Sequence, residues 1–255
     1  MPIIVKNILP ALTKTLPLLL THPGQIKYAL EWLSSLNPDK NPLMDELPWI
    51  AFDARKFLER IIRKDMIVYE YGSGGSTVFF ARRVRKVIST EHNKDWYGKV
   101  LDDINRKGLL NCELRLLEPA PVTSQKPSDP SDPDAYSSND DKYRGMSFKI
   151  YASSIDNFPD AFFDIVFIDG RSRPSCFKHA LKKVKERGYL ILDNAEMPYY
   201  FYIHSSLDNK EWEKYDFLGL FPYIFHFSET CIWKKISSGD NKMIAENPTS
   251  SSNRM

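Results

Sequence analysis

Long uncharged apolar runs are missing from this sequence of 255 residues. A membrane-spanning helix needs about 20 consecutive apolar residues, but Lys6, Pro10, Lys14 and Pro17 interrupt the apolar segment that opens the chain. A signal peptide is not expected either, because this apolar core is broken and no small-residue cleavage site follows it. We therefore expect no transmembrane segment.

Cysteine pairs and runs of one charge are also missing. The three cysteines form no Cys-x-x-Cys pair, which argues against a structural zinc site and against a disulfide framework. Reduced thiols are typical of a cytoplasmic protein, which is the location we expect. The net charge of +2 and the lack of a basic tail leave no electrostatic footprint for nucleic acid, so no nucleic-acid partner is expected.

The N-terminal segment carries an apolar stripe. Ile4, Ile8, Leu12, Leu16 and Leu20 recur every fourth residue, which predicts an amphipathic helix. The plainest interpretation is a helix that docks on the domain. A helix that touches a membrane surface or a partner protein is the alternative.

Short apolar runs alternate with amphipathic segments along most of the chain. We predict strands over 66–70, 86–91, 112–117, 163–169 and 189–193. We predict helices over 25–36, 51–63, 76–85, 96–107 and 174–187. The last helix is expected to end at Gly188, as a C-terminal glycine. Because the strands are continuously apolar, they indicate a parallel sheet covered on both faces.

The order of these elements predicts a doubly wound α/β fold with a mostly parallel sheet. Segments 215–220 and 230–235 are expected to pair as an antiparallel edge of that sheet. We predict an N-terminal helical extension over 1–44 and the main domain over 45–236. Residues 119–142 contain five prolines with many Ser, Asp and Asn and are predicted to form a flexible insertion. Residues 237–255 are expected to form a disordered tail.

A glycine-rich turn is the strongest local signal. It runs from Glu70 to Thr77 as Glu-Tyr-Gly-Ser-Gly-Gly-Ser-Thr, between a predicted strand and a predicted helix. Glycines there let the backbone approach a ligand closely. The helix that follows points its free N–H groups at that ligand. Glu91 ends the next strand, 19 residues after Gly72, where a carboxylate would hold a ribose hydroxyl. Together they predict a ligand that contains a nucleoside.

The type of nucleoside follows from what the turn lacks. A dinucleotide site would place a third glycine where Thr77 stands, and no Gly-x-x-x-x-Gly-Lys motif for ATP is present. The remaining pattern resembles the acidic-x-Gly-x-Gly-x motif of class I methyltransferases.

The resemblance extends along the chain. Segments 69–97, 163–171 and 188–194, the Leu-Pro-Trp at 47–49 and the Glu-Thr at 229–230 are similar to a poorly characterised group of bacterial methyltransferase-like proteins. It covers roughly residues 45 to 235, without the insertion.

This resemblance implies S-adenosylmethionine (SAM) as the cofactor. It implies a seven-stranded sheet whose last strand is antiparallel, as in the Rossmann-like fold of class I methyltransferases. It implies a cofactor cradle of Glu70, Gly72, Gly74 and Glu91, and by position segment 151–154 should lie near the adenine. The full set of expected cofactor contacts is Glu70, Gly72, Ser73, Gly74, Ser76, Thr77, Glu91, His92 and Asp169.

A second polar cluster follows two later strands. Asp169 ends one predicted strand, Asp193 and Asn194 end the next, and Glu196 comes two residues later. Because the carboxyl ends of neighbouring parallel strands lie side by side, we expect these residues to meet beside the cofactor. A methyl transfer needs an aligned acceptor and in some cases a base. The expected catalytic residues are Asp169, Asp193 and Glu196, with Arg171, Arg173 and Asn194 contacting the substrate.

Two other interpretations of this cluster stay open. Asp169, Asp193 and Asn194 resemble the metal ligands of catechol-type and caffeoyl-CoA-type O-methyltransferases, and such oxygen ligands suit Mg²⁺ or Ca²⁺. The positive charges of Arg171 and Arg173 disfavour a metal there, so we do not expect one. In the simplest interpretation, Asp193 and Asn194 cap the following segment and Asp169 accepts hydrogen bonds from loop amides.

The leading hypothesis is a methyltransferase that uses SAM on a small molecule or glycan acceptor, at oxygen. The alternative is a non-catalytic binding or scaffold protein that keeps the fold, which the N-terminal stripe motivates. A nicotinamide oxidoreductase is disfavoured by Thr77 at the third glycine position.

Overall fold

The computed structural model describes residues 15–122, 129–237 and 239. Ile4, Ile8 and Leu12 of the predicted N-terminal stripe lie outside the described residues. Most of the predicted tail, residues 238 and 240–255, lies outside them too.

A seven-stranded sheet forms the centre of the fold. The strands along the chain are β1 Ile67–Tyr71, β2 Lys86–Glu91, β3 Cys112–Leu116, β4 Ala120–Pro121, β5 Met146–Ser147, β6 Phe163–Ile168, β7 Val184–Asp193, β8 Trp212–Leu220 and β9 Phe227–Lys235. Their order across the large sheet is β3-β2-β1-β6-β7-β9-β8, and β4 pairs with β5 in a separate antiparallel ribbon. The first five strands of the large sheet pair in parallel, whereas β9 is antiparallel to both β7 and β8. The predicted doubly wound, mostly parallel sheet with an antiparallel pair at one edge is confirmed.

Alternate residues of the central strands supply two cores, one on each face of the sheet. In β1, Tyr69 and Tyr71 belong to one cluster and Val68 belongs to the other. All five residues of β1 are buried, as expected for a parallel strand covered on both faces. This double burial explains why the strands could be predicted from continuous apolar runs.

Helices cover both faces. They are α1 Ala29–Ser35, α2 Pro42–Asp45, α3 Phe52–Ile61, α4 Gly75–Ala81, α5 Lys94–Arg106, α6 Lys149–Ser153, α7 Arg173–Ala180 and α8 Phe201–Ser205. Shorter 3-10 turns lie at Pro23–Tyr28, Asp141–Tyr143, Ser154–Asn157, Leu181–Lys183 and Pro198–Tyr200. The start of α5 has a clear local cause, since the Asn93 side chain accepts a hydrogen bond from the Trp96 amide (3.0 Å).

The predicted end of the helix over 174–187 is wrong. Helix α7 ends at Ala180, one 3-10 turn follows, and β7 begins at Val184. Gly188 is therefore a strand residue rather than a helix cap. A Cβ at Gly188 would lie 2.9 Å from the Lys185 carbonyl oxygen and 3.0 Å from that of Asp164. Close backbone packing at a register break between β6 and β7 thus explains the glycine.

The N-terminal elements pack on the main domain. Tyr28 and Trp32 form a buried cluster with Phe52 and Leu220, and the Trp32 indole N–H donates to the Ile224 carbonyl oxygen (2.8 Å). The outward side of this segment remains apolar: Leu16, Leu20, Ile26 and Leu30 are exposed. Nowhere in the described parts of the chain does a helix combine the length and apolar character that crossing a membrane would require.

The described part of the insertion contacts the domain. The Tyr136 carbonyl oxygen accepts from the Phe148 amide (2.7 Å), and the Tyr136 ring packs against the main core. The Asp140 carboxylate lies 2.9 Å from the Arg171 guanidinium. The flexibility predicted for residues 119–142 stays a prediction.

Candidate functional site

The carboxyl ends of β1, β2, β6 and β7 open onto one cavity of about 790 Å³. Every contributing strand runs in the same direction, so the loops that follow them converge. The loop after β1, the end of β2 and the loops after β6 and β7 all line it.

Gly72 turns the chain sharply at the end of β1. Its φ is +91°, and a Cβ there would lie 3.2 Å from the backbone of Asp169 and Gly170. Its amide donates to the Thr90 carbonyl oxygen (2.9 Å). The turn is thus fixed between β2 and the loop after β6, which only glycine allows at this φ.

The next two glycines of the turn, Gly74 and Gly75, have different surroundings. A Cβ at Gly74 would meet only the Trp96 ring, at 3.6 Å. The Trp96 indole N–H donates to the Ser73 carbonyl oxygen (2.7 Å) and holds the loop from the α5 side. At Gly75 a Cβ would lie 2.0 Å from the Pro42 carbonyl oxygen and 2.4 Å from that of Leu47, so the segment around α2 rests directly on this loop.

Glu70 and Thr77 stand behind the loop rather than in the cavity. The Thr77 hydroxyl donates to the Glu70 carboxylate (2.6 Å) and accepts from the Gly74 amide (3.0 Å). Ser89 also donates to Glu70. Burial raises the pKa of Glu70 to about 7, although nearby hydroxyls act in the opposite direction. Both residues therefore shape the loop, while their predicted neighbours Ser73 and Ser76 line the cavity.

Glu91 faces the cavity with its carboxylate held by four donors. The Ser73 amide (3.1 Å) and hydroxyl (3.0 Å) donate to one oxygen, and the amides of His92 and Asn93 (both 2.8 Å) donate to the other. Burial acts to raise the pKa of Glu91, but the neighbouring His92 and these amides outweigh it, so the pKa is lowered. Glu91 is thus a fixed carboxylate at the expected place.

The wall beside His92 differs from the predicted one. Segment 151–154 does not line the cavity: Tyr151 is buried behind Gly170, and the Ser154 hydroxyl lies 2.5 Å from that of Tyr69. Instead the His92 ring packs edge-on against Tyr143, 5.1 Å between centroids. Tyr143 directly follows the predicted insertion of residues 119–142, which contributes the lining residues Asp140 and Lys142.

Asp169 and Asp193 lie next to each other at the cavity. Their side chains are within hydrogen-bond reach, and Asp193 also accepts from the Thr230 hydroxyl (2.9 Å). Burial, together with the charge of its neighbour, raises the pKa of Asp193 well above the usual range, and burial raises the pKa of Asp169. Such a pair favours holding one proton between two carboxylates.

Arg173 is an internal counter-ion of this pair. Its guanidinium donates to the Asp169 carboxylate (3.0 Å), to the carbonyl oxygen of Gly170 (3.0 Å) and to that of Asp193. Although Arg173 lines the cavity, these bonds engage its Nε and both terminal nitrogens. Its predicted role as an anchor for an anionic substrate is therefore not supported, whereas Arg171 is half-exposed and pairs with Asp140.

Asn194 and Glu196 are separated by the turn after β7. Asn194 has a φ of +48° and lines the cavity, and its amide donates to the Ser228 hydroxyl (3.0 Å). Glu196 does not line the cavity, because its carboxylate accepts from the Ser228 hydroxyl (2.7 Å) and the Glu229 amide (2.9 Å). The geometry assigns Glu196 to fixing the start of β9 rather than to the predicted catalytic group.

The proposed alternative metal ligands, Asp169, Asp193 and Asn194, lie beside a positively charged side chain, Arg173. A guanidinium contacts Asp169, and Thr230 contacts Asp193, so both carboxylates have partners that would compete with Mg²⁺ or Ca²⁺. Within the described ranges, the one cluster of acidic, histidine or cysteine ligands close enough to share an ion is Asp216, Glu229 and Cys231, on β8 and β9. There the Lys214 ammonium lies 2.8 Å from Asp216.

Several lining residues come from distant parts of the chain. Pro42 and Trp49 precede β1, and Phe221, Ile224 and His226 lie between β8 and β9. Trp49 belongs to the Leu-Pro-Trp segment of the family resemblance, but no local sequence signal marks the others, because only the folded chain brings these segments to the cavity. Trp96 lies in segment 69–97 of the family resemblance, but its contact with the Ser73 carbonyl oxygen could not be predicted from the sequence.

Comparisons with known proteins agree with this architecture. The chain is similar to the O-methyltransferase TomG of Streptomyces achromogenes, involved in tomaymycin synthesis and solved with SAM (TM-score 0.54, 15% identity, 84% of this chain and 99% of that one). It is similar to an O-methyltransferase of Bacillus cereus solved with SAH (TM-score 0.53, 17%, 80% and 96%). It is also similar to an rRNA methylase of Streptococcus thermophilus (TM-score 0.50, 16%, 78% and 99%).

No protein-family model and no curated protein matches the sequence. At these identities the structural likeness defines the fold, which is that of class I methyltransferases.

Proposed function

We propose that this chain is a SAM-dependent methyltransferase that acts on an oxygen of a small molecule or sugar. One observation carries the proposal: the Gly72 turn and the Glu91 carboxylate converge on the same cavity as the Asp169–Asp193 pair. A cofactor cradle and a pair of proton-accepting groups thus share one space. The fold neighbours described as O-methyltransferases support the choice of oxygen.

The residues of the cradle fit an adenosine-containing cofactor. Gly72 and Gly74 line the cavity without side chains, so the backbone of the turn can approach a ligand directly. Glu91 would hold the ribose hydroxyls. Since all four of its acceptor positions are in use, the Ser73 hydroxyl is the donor that would rotate away. Bound SAM supplies a methyl group on a sulfonium, which is a good leaving group.

The acid pair would handle the proton of the acceptor. Asp169 and Asp193 favour holding one proton between them, so the second site can accept a proton from an acceptor hydroxyl. Arg173 stabilises the remaining negative charge through its bond to Asp169. It also fixes the direction of the carboxylate, because it bonds the backbone on both sides of the pair. No metal ligand is needed for these roles.

The acceptor side of the cavity is mixed in character. Trp49, Phe221 and Ile224 provide apolar surface, while Arg171 and His226 provide polar groups. This combination suits a compact acceptor with an apolar body and a polar substituent. Such walls differ widely between enzymes of one fold, so the fold by itself does not name the acceptor.

Binding of the cofactor is tested with S-adenosylhomocysteine (SAH). We expect SAH to raise the melting temperature of the full chain, because it binds the folded state. Calorimetry should show one binding site for SAH per chain. Glu91→Ala should weaken SAH binding by tenfold or more, because the ribose hydroxyls lose the carboxylate that accepts their hydrogen bonds. Glu59 on α3 is exposed and does not line the cavity, so Glu59→Ala serves as the control. Lack of any effect of SAH at about millimolar concentration would refute the proposal.

A non-catalytic binding protein is the second candidate, and one observation favours it. Leu16, Leu20 and Leu30 are exposed on the N-terminal elements, as on a surface for a partner or a membrane. Transfer of a labelled methyl group to small molecules of a cell extract separates the two candidates. SAH binding without any transfer, in wild type and in Asp169→Asn alike, would favour the binding protein.

A further inference from the structure

A second cavity lies at the opposite end of the sheet. It has a volume of about 520 Å³ and is formed where β7 and β8 begin and β9 ends. Arg187 in β7 is six residues before Asp193, so at about 3.3 Å per residue the two cavities lie about 20 Å apart along one strand. The proposed methyltransferase chemistry makes no use of this second cavity.

The walls of this cavity are strongly basic. Arg187, Lys214, Lys234 and Lys235 line it, with Glu213 as the acidic residue of the lining. The whole chain has a net charge of only +2, so positive charge is concentrated here. Such a concentration of one sign within a concave surface raises the local density of oppositely charged ligands.

The pairing of nearby lysines strengthens this contrast. Lys183 and Lys185 point to their own carboxylates, Asp160 (2.8 Å) and Asp164 (2.9 Å). Among the described residues Lys234 has no acidic partner within 4.0 Å, and Lys235 contacts the Val184 carbonyl oxygen (3.3 Å). The first two lysines are therefore neutralised. In the cavity Lys214 is paired with Asp216 (2.8 Å), so in the described part of the chain the positive charge without an acidic partner is that of Lys234 and Lys235.

The backbone also places Arg187 unusually. Its φ is +62°, a left-handed conformation that non-glycine residues seldom adopt. It lies at the irregular start of β7, where the register with β6 shifts before Tyr189. A bulge of this kind re-aims a side chain, and here Arg187 joins the lining. Strained conformations are concentrated at functional sites.

Trp212 forms a rigid floor under these cations. It is buried, and the Lys235 ammonium lies 5.6 Å from the centre of its ring. Lys235 is thereby held in place without losing its charge, because a ring face attracts a cation but does not neutralise it. The basic side chains are thus partly preorganised.

We propose that this cavity binds a compact polyanion that carries at least two phosphate groups. Four cationic side chains line about 520 Å³, and two of them, Lys234 and Lys235, have no acidic partner among the described residues, which suits a ligand with at least two phosphates. The volume falls in the range of small-molecule sites. The shared chemistry is a chain of phosphates, whether inorganic or part of a nucleotide. The site is separate from the proposed SAM cavity.

The test uses the full chain, with calorimetry and melting temperature at low ionic strength. Sodium tripolyphosphate is the probe, and inorganic phosphate and ATP are the comparison ligands. Lys234→Gln with Arg187→Gln is the double variant. Lys64→Gln with Lys99→Gln is the control, since it removes the same charge at exposed positions outside both cavities.

We expect one saturable site for tripolyphosphate, with at least tenfold weaker binding in the double variant and unchanged binding in the control. Orthophosphate should bind at least tenfold more weakly than tripolyphosphate. ATP should bind about as tightly as tripolyphosphate if the phosphates alone are recognised, and more tightly if the nucleoside is recognised too.

Three results would overturn the proposal: no saturable binding to wild type, equal loss in the control variant, or displacement of tripolyphosphate by saturating SAH. The last would place the phosphates in the other cavity. Failure of SAH to bind would leave this experiment unaffected.

Discussion

Gly72 is the residue on which the shape of the proposed cofactor loop most depends. Alanine there would force an L side chain into φ +91°, with its Cβ 3.2 Å from the Asp169 and Gly170 backbone. We expect Gly72→Ala to weaken SAH binding by tenfold or more and to lower the free energy of unfolding by about 1–3 kcal/mol. Calorimetry and denaturant unfolding measure the two effects.

Gly98 provides the matched control for that substitution. It lies within α5, and a Cβ there would meet nothing within 4 Å. Gly98→Ala should leave SAH binding unchanged and stabilise the fold by about 0.5–1 kcal/mol, because alanine is the better helix former. Equal SAH affinity in both variants would show that the Gly72 turn does not shape the ligand site.

Glu70 gives the fold a pH dependence of defined sign. Its pKa is raised from 4.5 to about 7 by burial, so the folded chain keeps a proton that the unfolded chain releases. The free energy of unfolding therefore falls as pH rises from about 4.5 to about 7. Glu70→Gln carries no titrating proton, and it keeps an oxygen that can accept from Thr77 and Ser89.

We expect the stability of Glu70→Gln relative to wild type to increase across that pH window and to level off above it. Denaturant unfolding of both proteins at several pH values from about 5 to 8 measures this difference. The buried pair of Asp169 and Asp193 is present in both proteins, so the difference between the two curves reports on Glu70. Parallel curves for the two proteins would mean that Glu70 does not hold a proton in the fold.

At the scale of elements, the insertion is fastened to the site by a charged contact. Asp140 lies 2.9 Å from Arg171, and both side chains are partly exposed. Such a pair contributes about 0.5–1 kcal/mol. We expect Asp140→Ala to give up to several-fold faster amide exchange over residues 129–148 with β1 unchanged, as measured by mass spectrometry.

Asp129 serves as the control for this exchange experiment. It is exposed, and its carboxylate contacts only Ser131 within the described residues. Asp129→Ala should leave exchange at Phe148 as it is in wild type. Identical exchange in wild type and Asp140→Ala would show that the insertion is held by its other contacts, such as that of Tyr136 with His179 (3.2 Å).

Elements whose signal is local were predicted well. Strand β2 has the predicted bounds, and the helix after the glycine-rich turn begins within one residue of its prediction. The boundary between α7 and β7 was missed, because a glycine after a basic helical segment is typical of a helix end. What decides it instead is the packing of Gly188 against Asp164 on β6, which no local pattern records.

In the candidate site, too, residues with a local sequence signal were predicted and residues positioned by distant contacts were not. Gly72 and Asp169 directly follow strands and Glu91 ends one, so the order of elements predicted that they lie together. Glu196 was misplaced because its partners, Ser228 and Glu229, lie more than thirty positions later in the chain. The walls from Trp49 and His226 depend on how the two ends of the domain meet, and that packing is non-local.

Over the whole molecule, the N-terminal elements are part of one packed body. Trp32 is 2% exposed, and its indole bonds to Ile224 near the other end of the chain. We expect Trp32→Ala to lower the free energy of unfolding by about 3–5 kcal/mol. Denaturant unfolding, followed by both fluorescence and circular dichroism, provides the measurement.

Leu30 lies two residues away on the same helix and is 84% exposed. Leu30→Ala should change the free energy of unfolding by less than about 0.5 kcal/mol. If both substitutions had the same small effect, the N-terminal elements would not belong to the cooperative core.

The contact at Gly75 restricts how the sequence can change in evolution. Because a methyl group there would overlap the carbonyl oxygens of Pro42 and Leu47, a mutation at position 75 and a rearrangement of residues 42–47 must be inherited together. Relatives with alanine or serine in place of Gly75 should therefore differ in the length or course of the segment before β1. Any that kept this segment unaltered beside a larger residue would contradict the inference.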